Sequence, residues 1–226
     1  MNASQLKQLA AAAAIAKLPR SGVIGLGSGS TAELFIRQLA ELVRSGREYV
    51  GVPTSERSRE LAQSLGIPLL ENAGPWQIEV TVDGADEVSS DLALIKGGGG
   101  CQLQEKIVND SSRVNIIIVD ESKISPQLGM RSLVPVEVVP FGWAAVMQKL
   151  ERFGSTTLRK RGDGPYVTDS GNYIVDLKTG AIADPDRLDI AIARVPGVVV
   201  TGLFVNRASC VIVAASRGIS EMLRPN

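Results

Sequence analysis

Apolar positions along the chain switch period repeatedly, and the switches divide it into alternating helices and strands. The start, from Ala3 through a run of alanines, has high helix propensity. Residues 21–27 read as a short strand, after which Leu34, Phe35, Leu39 and Leu42 recur at helical spacing over 31–43. The rhythm repeats with a strand at 48–53 and a helix at 55–65 closed by Gly66, followed by a short apolar piece at 67–70. A strand at 78–82 ends at Asp83, and 114–119 is almost wholly β-branched, as expected of a parallel strand buried on both faces. Strands alternating with helices predict an α/β layer fold with a parallel sheet.

From about Met130 the order changes to strand 132–139, helix 141–153, strands 155–160 and 166–176, helix 185–193 and strand 198–204. This βαββαβ order is the ferredoxin-like α+β arrangement, small enough to form a separate lid. A strand at 210–214 and a short helix at 218–223 are expected to rejoin the first part. The predicted division is a catalytic α/β domain of 1–129 plus 206–226, interrupted by an inserted lid or oligomerisation domain of 130–205.

Composition narrows the chemistry. Of 226 residues 44% are hydrophobic, and Lys plus Arg equal Asp plus Glu at 24 each with no basic block, which argues against a nucleic-acid partner and for a small neutral or anionic metabolite. No apolar run approaches the roughly 20 residues of a membrane span, and the N-terminus lacks the marks of a secretion signal, so no membrane partner is expected. Two cysteines, Cys101 and Cys210, suit a reducing compartment, and the expected location is cytoplasmic. With no histidine, a Ser-His-Asp triad, a Cys-His dyad and His-based zinc sites are excluded, and two distant cysteines make no zinc site, so no metal is expected. Acid–base chemistry must come from carboxylates, lysine, tyrosine or cysteine.

Candidate groups concentrate where predicted strands end. Asp83-Gly84-Ala85-Asp86-Glu87 closes the 78–82 strand, at the sheet edge where ligands bind in open α/β folds. Paired carboxylates such as Asp83 and Asp86 can titrate apart and shuttle a proton, although an Asx-turn explains the same residues. Lys96 then opens the run Gly97-Gly98-Gly99-Gly100, whose backbone can turn N–H groups inward as an anion nest, and a helix carries Glu105 away from it. Lys96 suits a developing oxyanion and Glu105 suits a general base on a carbon acid, the competing account being a solvated loop. Gly25-Leu26-Gly27-Ser28-Gly29-Ser30-Thr31 passes from strand to helix, where backbone N–H groups favour a phosphate; a capping box of Ser30 and Glu33 is the alternative. Lys123, after the 114–119 strand, lies at the same predicted edge, and Cys101 is a small corner residue or a reactive thiol.

These motifs, in this order, resemble the A-type ribose-5-phosphate isomerases over nearly the whole chain, continuing through Leu133-Val134-Pro135-Val136-Glu137-Val138 and Thr168-Asp169-Ser170-Gly171-Asn172. The resemblance implies a Rossmann-like domain with a ferredoxin-like lid, no cofactor, and interconversion of ribose 5-phosphate and ribulose 5-phosphate, a step of the non-oxidative pentose phosphate pathway. It implies Glu105 as the base working through an enediolate and Lys96 on the oxyanion. Asp83 and Asp86 would assist ring opening and proton transfer. Ser28, Gly29, Ser30, Thr31, Gly84, Ala85, Gly97, Gly98, Gly99 and Lys123 would line the substrate site, and a homodimer or homotetramer is expected. The chain departs from the family pattern at Gly100-Cys101-Gln102-Leu103-Gln104, where Leu-Thr-Arg usually precedes the glutamate, and at Ser170, where Asn is usual. A sugar-phosphate sensor, an aminosugar-phosphate deaminase and a coenzyme A transferase are the alternatives weighed, each disfavoured by the full set of Glu105, Lys96 and both aspartates or by motif order.

Overall fold

A computed structural model describes residues 1–224. In chain order it contains α1 (Ala3–Ile15), β1 (Gly22–Leu26), α2 (Ser30–Arg44), β2 (Tyr49–Pro53), α3 (Glu56–Ser64) and β3 (Ile78–Asp83). There follow β4 (Glu87–Val88), β5 (Leu94–Ile95), α4 (Gln102–Asp110), β6 (Ser112–Asp120) and a 3-10 turn, Glu121–Lys123. Next come β7 (Val134–Val138), α5 (Trp143–Leu150), β8 (Ser155–Leu158), β9 (Lys160–Arg161), β10 (Gly164–Pro165) and β11 (Tyr173–Lys178). The chain ends with α6 (Pro185–Ala193), β12 (Val198–Thr201), β13 (Leu203–Phe204), β14 (Cys210–Ala215) and β15 (Gly218–Leu223).

One compact unit comprises Met1–Ala85, Gln104–Lys123 and the segment from Arg207. Its six-stranded sheet has the order β15-β14-β6-β3-β1-β2, parallel throughout except for β15 at the edge. Ile24, Leu26, Phe35, Leu39, Val82, Ile118 and Ile212 fill its core, and Ala10, Ala11 and Ala14 of α1 are buried in the same cluster, because side chains this small allow the helix to approach closely. Each fully buried Leu, Ile or Phe contributes about 1.5–3 kcal/mol. From β1 the chain builds outward to β2, then returns to β3 on the other side of β1. Parallel sheets bind ligands where growth reverses in this way, at the carboxyl ends of the flanking strands. Ser28 follows β1 there and Asp83 ends β3.

The other compact unit comprises Asp86–Leu103 and Ile124–Asn206. Its four-stranded antiparallel sheet, β12-β7-β11-β8, places the fourth, first, third and second strands of the βαββαβ run side by side, the ferredoxin-like order. Val134, Val136, Val138, Leu150, Val175, Leu177 and Ile192 form its core. Residues 130–205 lie within this unit, which also takes in 86–103 and 124–129. The reason is a small sheet in which β4 pairs with β5 and β5 with β13, while Val88 bridges Ile124. Strands of two residues have no detectable period, so the sequence pattern does not reveal them.

The single strand expected over 198–204 is broken into β12 and β13, which join different sheets, and two further elements differ from expectation. Residues 218–223 form strand β15, not a helix: Ala215 pairs with Gly218 across a tight turn, and six residues are too few to sustain an isolated helix against the open edge of β14. The strand expected over 166–176 begins only at Tyr173, since Thr168 to Asn172 fold into a turn closed by Gly171 N–H to Thr168 O (2.9 Å), with Gly171 at φ 79°. Among the described residues no helix is long and apolar enough to cross a membrane.

Strand β7 carries a fully buried carboxyl. Glu137 Oε1 accepts from Thr168 Oγ1 (2.9 Å) and Asn172 Nδ2 (3.0 Å), which fastens the 168–172 turn to the sheet, while Oε2 has no hydrogen-bond partner. Burial pushes the Glu137 carboxyl above its ordinary value of 4.5, against the pull of the two hydrogen bonds. The folded form therefore holds the proton more tightly than the unfolded chain. Stability from burying the neutral acid is full below about 4.5 and is lost as pH rises through the raised folded value. Glu137→Gln keeps the accepting oxygen and removes the titration. Thermal unfolding at pH 5 and pH 8 should show the variant gaining on the wild type at the higher pH; an equal offset at both would refute the assignment.

Candidate active site

In the first unit the site grows from the turn after β1. Ser28 N–H donates to Asp83 Oδ1 (2.9 Å), and Gly84 N–H donates to the same oxygen (2.7 Å). Asp83 is thus held at the end of β3 with 3% of its surface exposed. Gly27 is required at this point, since a Cβ there would lie 2.5 Å from the Asp83 Cα. The Ser28 hydroxyl donates to Ser55 (2.7 Å), Ser55 to Ser58 (3.0 Å) and Ser58 to the Gly27 carbonyl (2.7 Å), with Thr54 Oγ1 2.8 Å from Ser28 Oγ. This ring of hydroxyls fixes the turn and turns the Ser28 side chain into the protein.

Helix α2 begins at Gly29, whose φ of 91° suits glycine, and no side chain caps it. The alternative capping box does not form: Ser30 accepts instead from Lys7 Nζ (2.8 Å), and Glu33 pairs with Arg57 (2.7 Å). The first-turn N–H groups at Ser30 and Thr31 therefore keep the positive end of the helix dipole uncapped, with an ammonium group beside them. That combination favours a phosphate. Glu105 lies in the first turn of α4 and is 5% exposed. Lys123 ends the 3-10 turn after β6, at the same carboxyl edge of the sheet as Ser28 and Asp83. Gln104 lines a cavity of about 200 Å³ with Arg59, Asn72 and Trp76, so a guanidinium from α3 stands across from the position where the family pattern has a basic residue.

In the second unit the glycine loop is built around Asp86 and Lys96. Gly98 N–H donates to Asp86 Oδ2 (2.7 Å), and Gly100 N–H closes a turn onto Gly97 O (2.9 Å). Lys96 is only 4% exposed; its backbone N–H donates to Gly202 O (2.9 Å), and its Nζ stands 5.5 Å from the centre of the Phe204 ring, within cation–π reach. Glu87, the third acid of the Asp83 motif, has a structural role, accepting backbone N–H groups from Gly129 (3.1 Å), Arg131 (3.3 Å) and Ser132 (2.9 Å). Cys101 Sγ lies 3.7 Å from Gly99 O and fills the corner of the loop. Gln102 is completely buried with no hydrogen-bond partner for its amide, and it packs so closely on Gly97 that a Cβ there would meet its Oε1 at 2.7 Å.

Each unit thus brings together its share of the expected residues: Ser28, Asp83 and Gly84 in one, Asp86 and Gly97 to Gly99 in the other. Ala85 has a methyl side chain with no hydrogen bond to give. The sequence reading missed Lys7, Thr54, Ser55, Ser58, Arg159 and Tyr166. Only Thr54 and Ser55 left a signal, as hydroxyls directly after a parallel strand; Arg159 and Tyr166 reach the glycine loop from about 60 residues away. Burial raises the Tyr166 phenol above its ordinary value of 10.0, which keeps it a proton donor to Gly99 O. Among the described residues no three acidic or cysteine side chains gather as metal ligands.

Residues 50–218 match the family model described as ribose 5-phosphate isomerase A (phosphoriboisomerase A). A ribose-5-phosphate isomerase A of Gloeobacter violaceus is 49% identical over 228 residues, covering 100% of this chain and 99% of its own. One from Parvibaculum lavamentivorans is 46% identical, covering 96% of this chain and 97% of its own. Among solved structures, a D-ribose-5-phosphate isomerase in complex with phospho-erythronic acid superposes with a TM-score of 0.96 at 38% identity, over 99% of this chain and 100% of that one. The isomerase of Methanocaldococcus jannaschii gives 0.93 at 38% identity, over 98% and 100%.

Proposed function

Because the chain belongs to the ribose-5-phosphate isomerase A family and so interconverts ribose 5-phosphate and ribulose 5-phosphate, we propose roles for its residues in that reaction. The observation that carries the reading is the uncapped, lysine-flanked start of α2 in the same unit as the well-buried Glu105 carboxyl.

In the open-chain aldose, Glu105 takes the proton from C2. The C2–H electron pair becomes the C1–C2 double bond, and the carbonyl pair moves to O1. Lys96 and the N–H groups of the loop it opens stabilise the resulting enediolate, a contact that strengthens as charge develops. Glu105 then returns the proton to C1, while a proton passes between the two oxygens. Asp83 and Asp86 serve that transfer and the ring opening that precedes it. The α2 start (Gly29, Ser30, Thr31) with Lys7 receives the phosphate, and Ser28, Gly84, Ala85 and Lys123 complete the wall.

Phospho-erythronic acid, bound by the solved relative, has a planar carboxylate next to a hydroxyl-bearing carbon, which mimics the enediolate; it should bind this protein in the same way. We place the enzyme in the cytosol and in the non-oxidative pentose phosphate pathway. It acts as a homodimer or homotetramer in our reading, supported by Phe141, 93% exposed on the second unit with Met130 and Leu133 also exposed. That unit, centred on 130–205, is proposed to serve as lid and assembly surface.

The reading is tested by following ketose formation from ribose 5-phosphate beside glucosamine 6-phosphate and an acyl-coenzyme A, with Lys7→Ala in parallel. Only ribose 5-phosphate should react, and Lys7→Ala should raise KM about tenfold, or about 1.4 kcal/mol, with kcat little changed. Turnover of one of the other substrates in its place, or an unchanged KM in the variant, would count against the site as drawn.

A further inference from the structure

The glycine loop is gripped from behind by the four-stranded sheet of its own unit. Arg159, which follows β8, donates through Nη1 to two successive carbonyls, Gly97 O (2.8 Å) and Gly98 O (3.1 Å). The rest of its guanidinium is engaged by Asp176 on β11, with Nε donating to Oδ2 (2.9 Å) and Nη2 to Oδ1, so the fork is held in a bidentate pair. Tyr166 takes the next carbonyl, its hydroxyl donating to Gly99 O (3.0 Å), and its ring lies where a Cβ on Gly100 would fall, 2.5 Å away. Tyr166 is itself placed by its N–H to Arg159 O (2.9 Å) and by the turn that Glu137 fastens through Thr168 and Asn172.

Three consecutive carbonyls are thus fixed by side chains that do not belong to the loop. A planar trans peptide sets each N–H opposite the carbonyl before it, so holding the carbonyls aims the N–H groups. The Gly98 N–H goes to Asp86 and the Gly100 N–H to Gly97 O. Among the described residues the Gly99 N–H has no protein acceptor, and no heavy atom lies within 4 Å of a Cβ placed on Gly99. Without the grip, four glycines in a row would spread that donor over many directions, because glycine restricts its own backbone least.

We propose that Arg159, held by Asp176, and Tyr166 are positioning residues of the isomerisation, orienting the loop so that the Gly99 N–H meets the substrate oxygen that gains charge as the proton leaves carbon. This rests on the reading of Lys96 to Gly99 as the oxyanion side of the site. Arg159 acts through the loop backbone, and its own charge is already matched by Asp176.

The test uses the full chain with Arg159→Ala, Arg159→Lys and Tyr166→Phe, measuring kcat, KM and the affinity for phospho-erythronic acid. Arg159→Ala should lower kcat about 100-fold, the scale of losing one oxyanion donor, and weaken the analogue by a similar factor, with KM for ribose 5-phosphate within about threefold. Added ethylguanidine should restore part of that kcat, and ethylamine should not. Arg159→Lys cannot bridge two carbonyls and two carboxylate oxygens at once and should lose about tenfold in kcat. Tyr166→Phe, which removes a single hydroxyl, should lose less, with analogue affinity falling in step. If Arg159→Ala does not fold, the lysine and phenylalanine variants decide. Wild-type kcat and analogue affinity in both would overturn the grip, as would a rise in KM alone. Active wild type with inactive Glu105→Gln would leave the underlying site reading intact in that event, whereas a wild type without turnover would remove the reading itself.

Discussion

Glu105→Gln is expected to lower kcat for ribose 5-phosphate by about 10³-fold or more, near the upper range for removing a general base. The amide keeps the volume and can still hydrogen-bond, so the surrounding packing is preserved, but it cannot accept the proton from carbon. Its position explains why a carboxylate is suited there. Glu105 sits in the first turn of α4, and at 5% exposure little water competes for it. Because the contact with the C2 proton matters in the transition state and little in the ground state, KM and the affinity for phospho-erythronic acid should stay within about threefold. Steady-state kinetics beside a binding titration provide the check. A kcat within tenfold of wild type would move the base to another carboxylate.

Lys96→Met should lower kcat by about 10²- to 10³-fold, the effect of removing one charged donor from a developing oxyanion. Methionine is the better probe than alanine, because a 4% exposed lysine fills space beside Phe204, and emptying that space would mix a packing defect into the kinetics. The ammonium contributes most once charge has moved to the oxygen, so the loss should fall on kcat with KM almost unchanged. A rise in KM at constant kcat would make Lys96 a ground-state anchor. The two variants also separate from each other: Lys96→Met should weaken the enediolate-like analogue strongly, and Glu105→Gln should not.

Much of the site was legible because its residues sit at local breaks in pattern. Asp83 ends a strand, Ser28 to Thr31 join a strand to a helix, and four glycines cannot be mistaken for a regular element. The choice between phosphate site and capping box at Ser30 was open in the sequence because both use the same residues. The capping box fails because Lys7, from 23 residues earlier, donates to the Ser30 hydroxyl, and no side chain caps the helix. Glu87 and Asp86 are adjacent in sequence and look alike there, yet one is spent on three backbone N–H groups and the other on the glycine loop. Which acid does which depends on what the neighbouring strands bring alongside.

The strand at 218–223 shows the same division. Its residues have no strong preference of either period, and the open edge of β14 chose for them. By itself the sequence determined the parallel α/β core, the βαββαβ run, the exclusion of histidine chemistry and the acids, lysine and glycines proposed to carry the reaction, since periodicity, turn residues and composition are local properties of the chain. Only the tertiary structure decided the order of the strands, the hydroxyl ring under Ser28, the small sheet of β4, β5 and β13, and the hold of Arg159 and Tyr166 on the glycine loop. Those contacts join residues far apart in sequence, and their geometry exists only once sheets have formed and the side chains have packed.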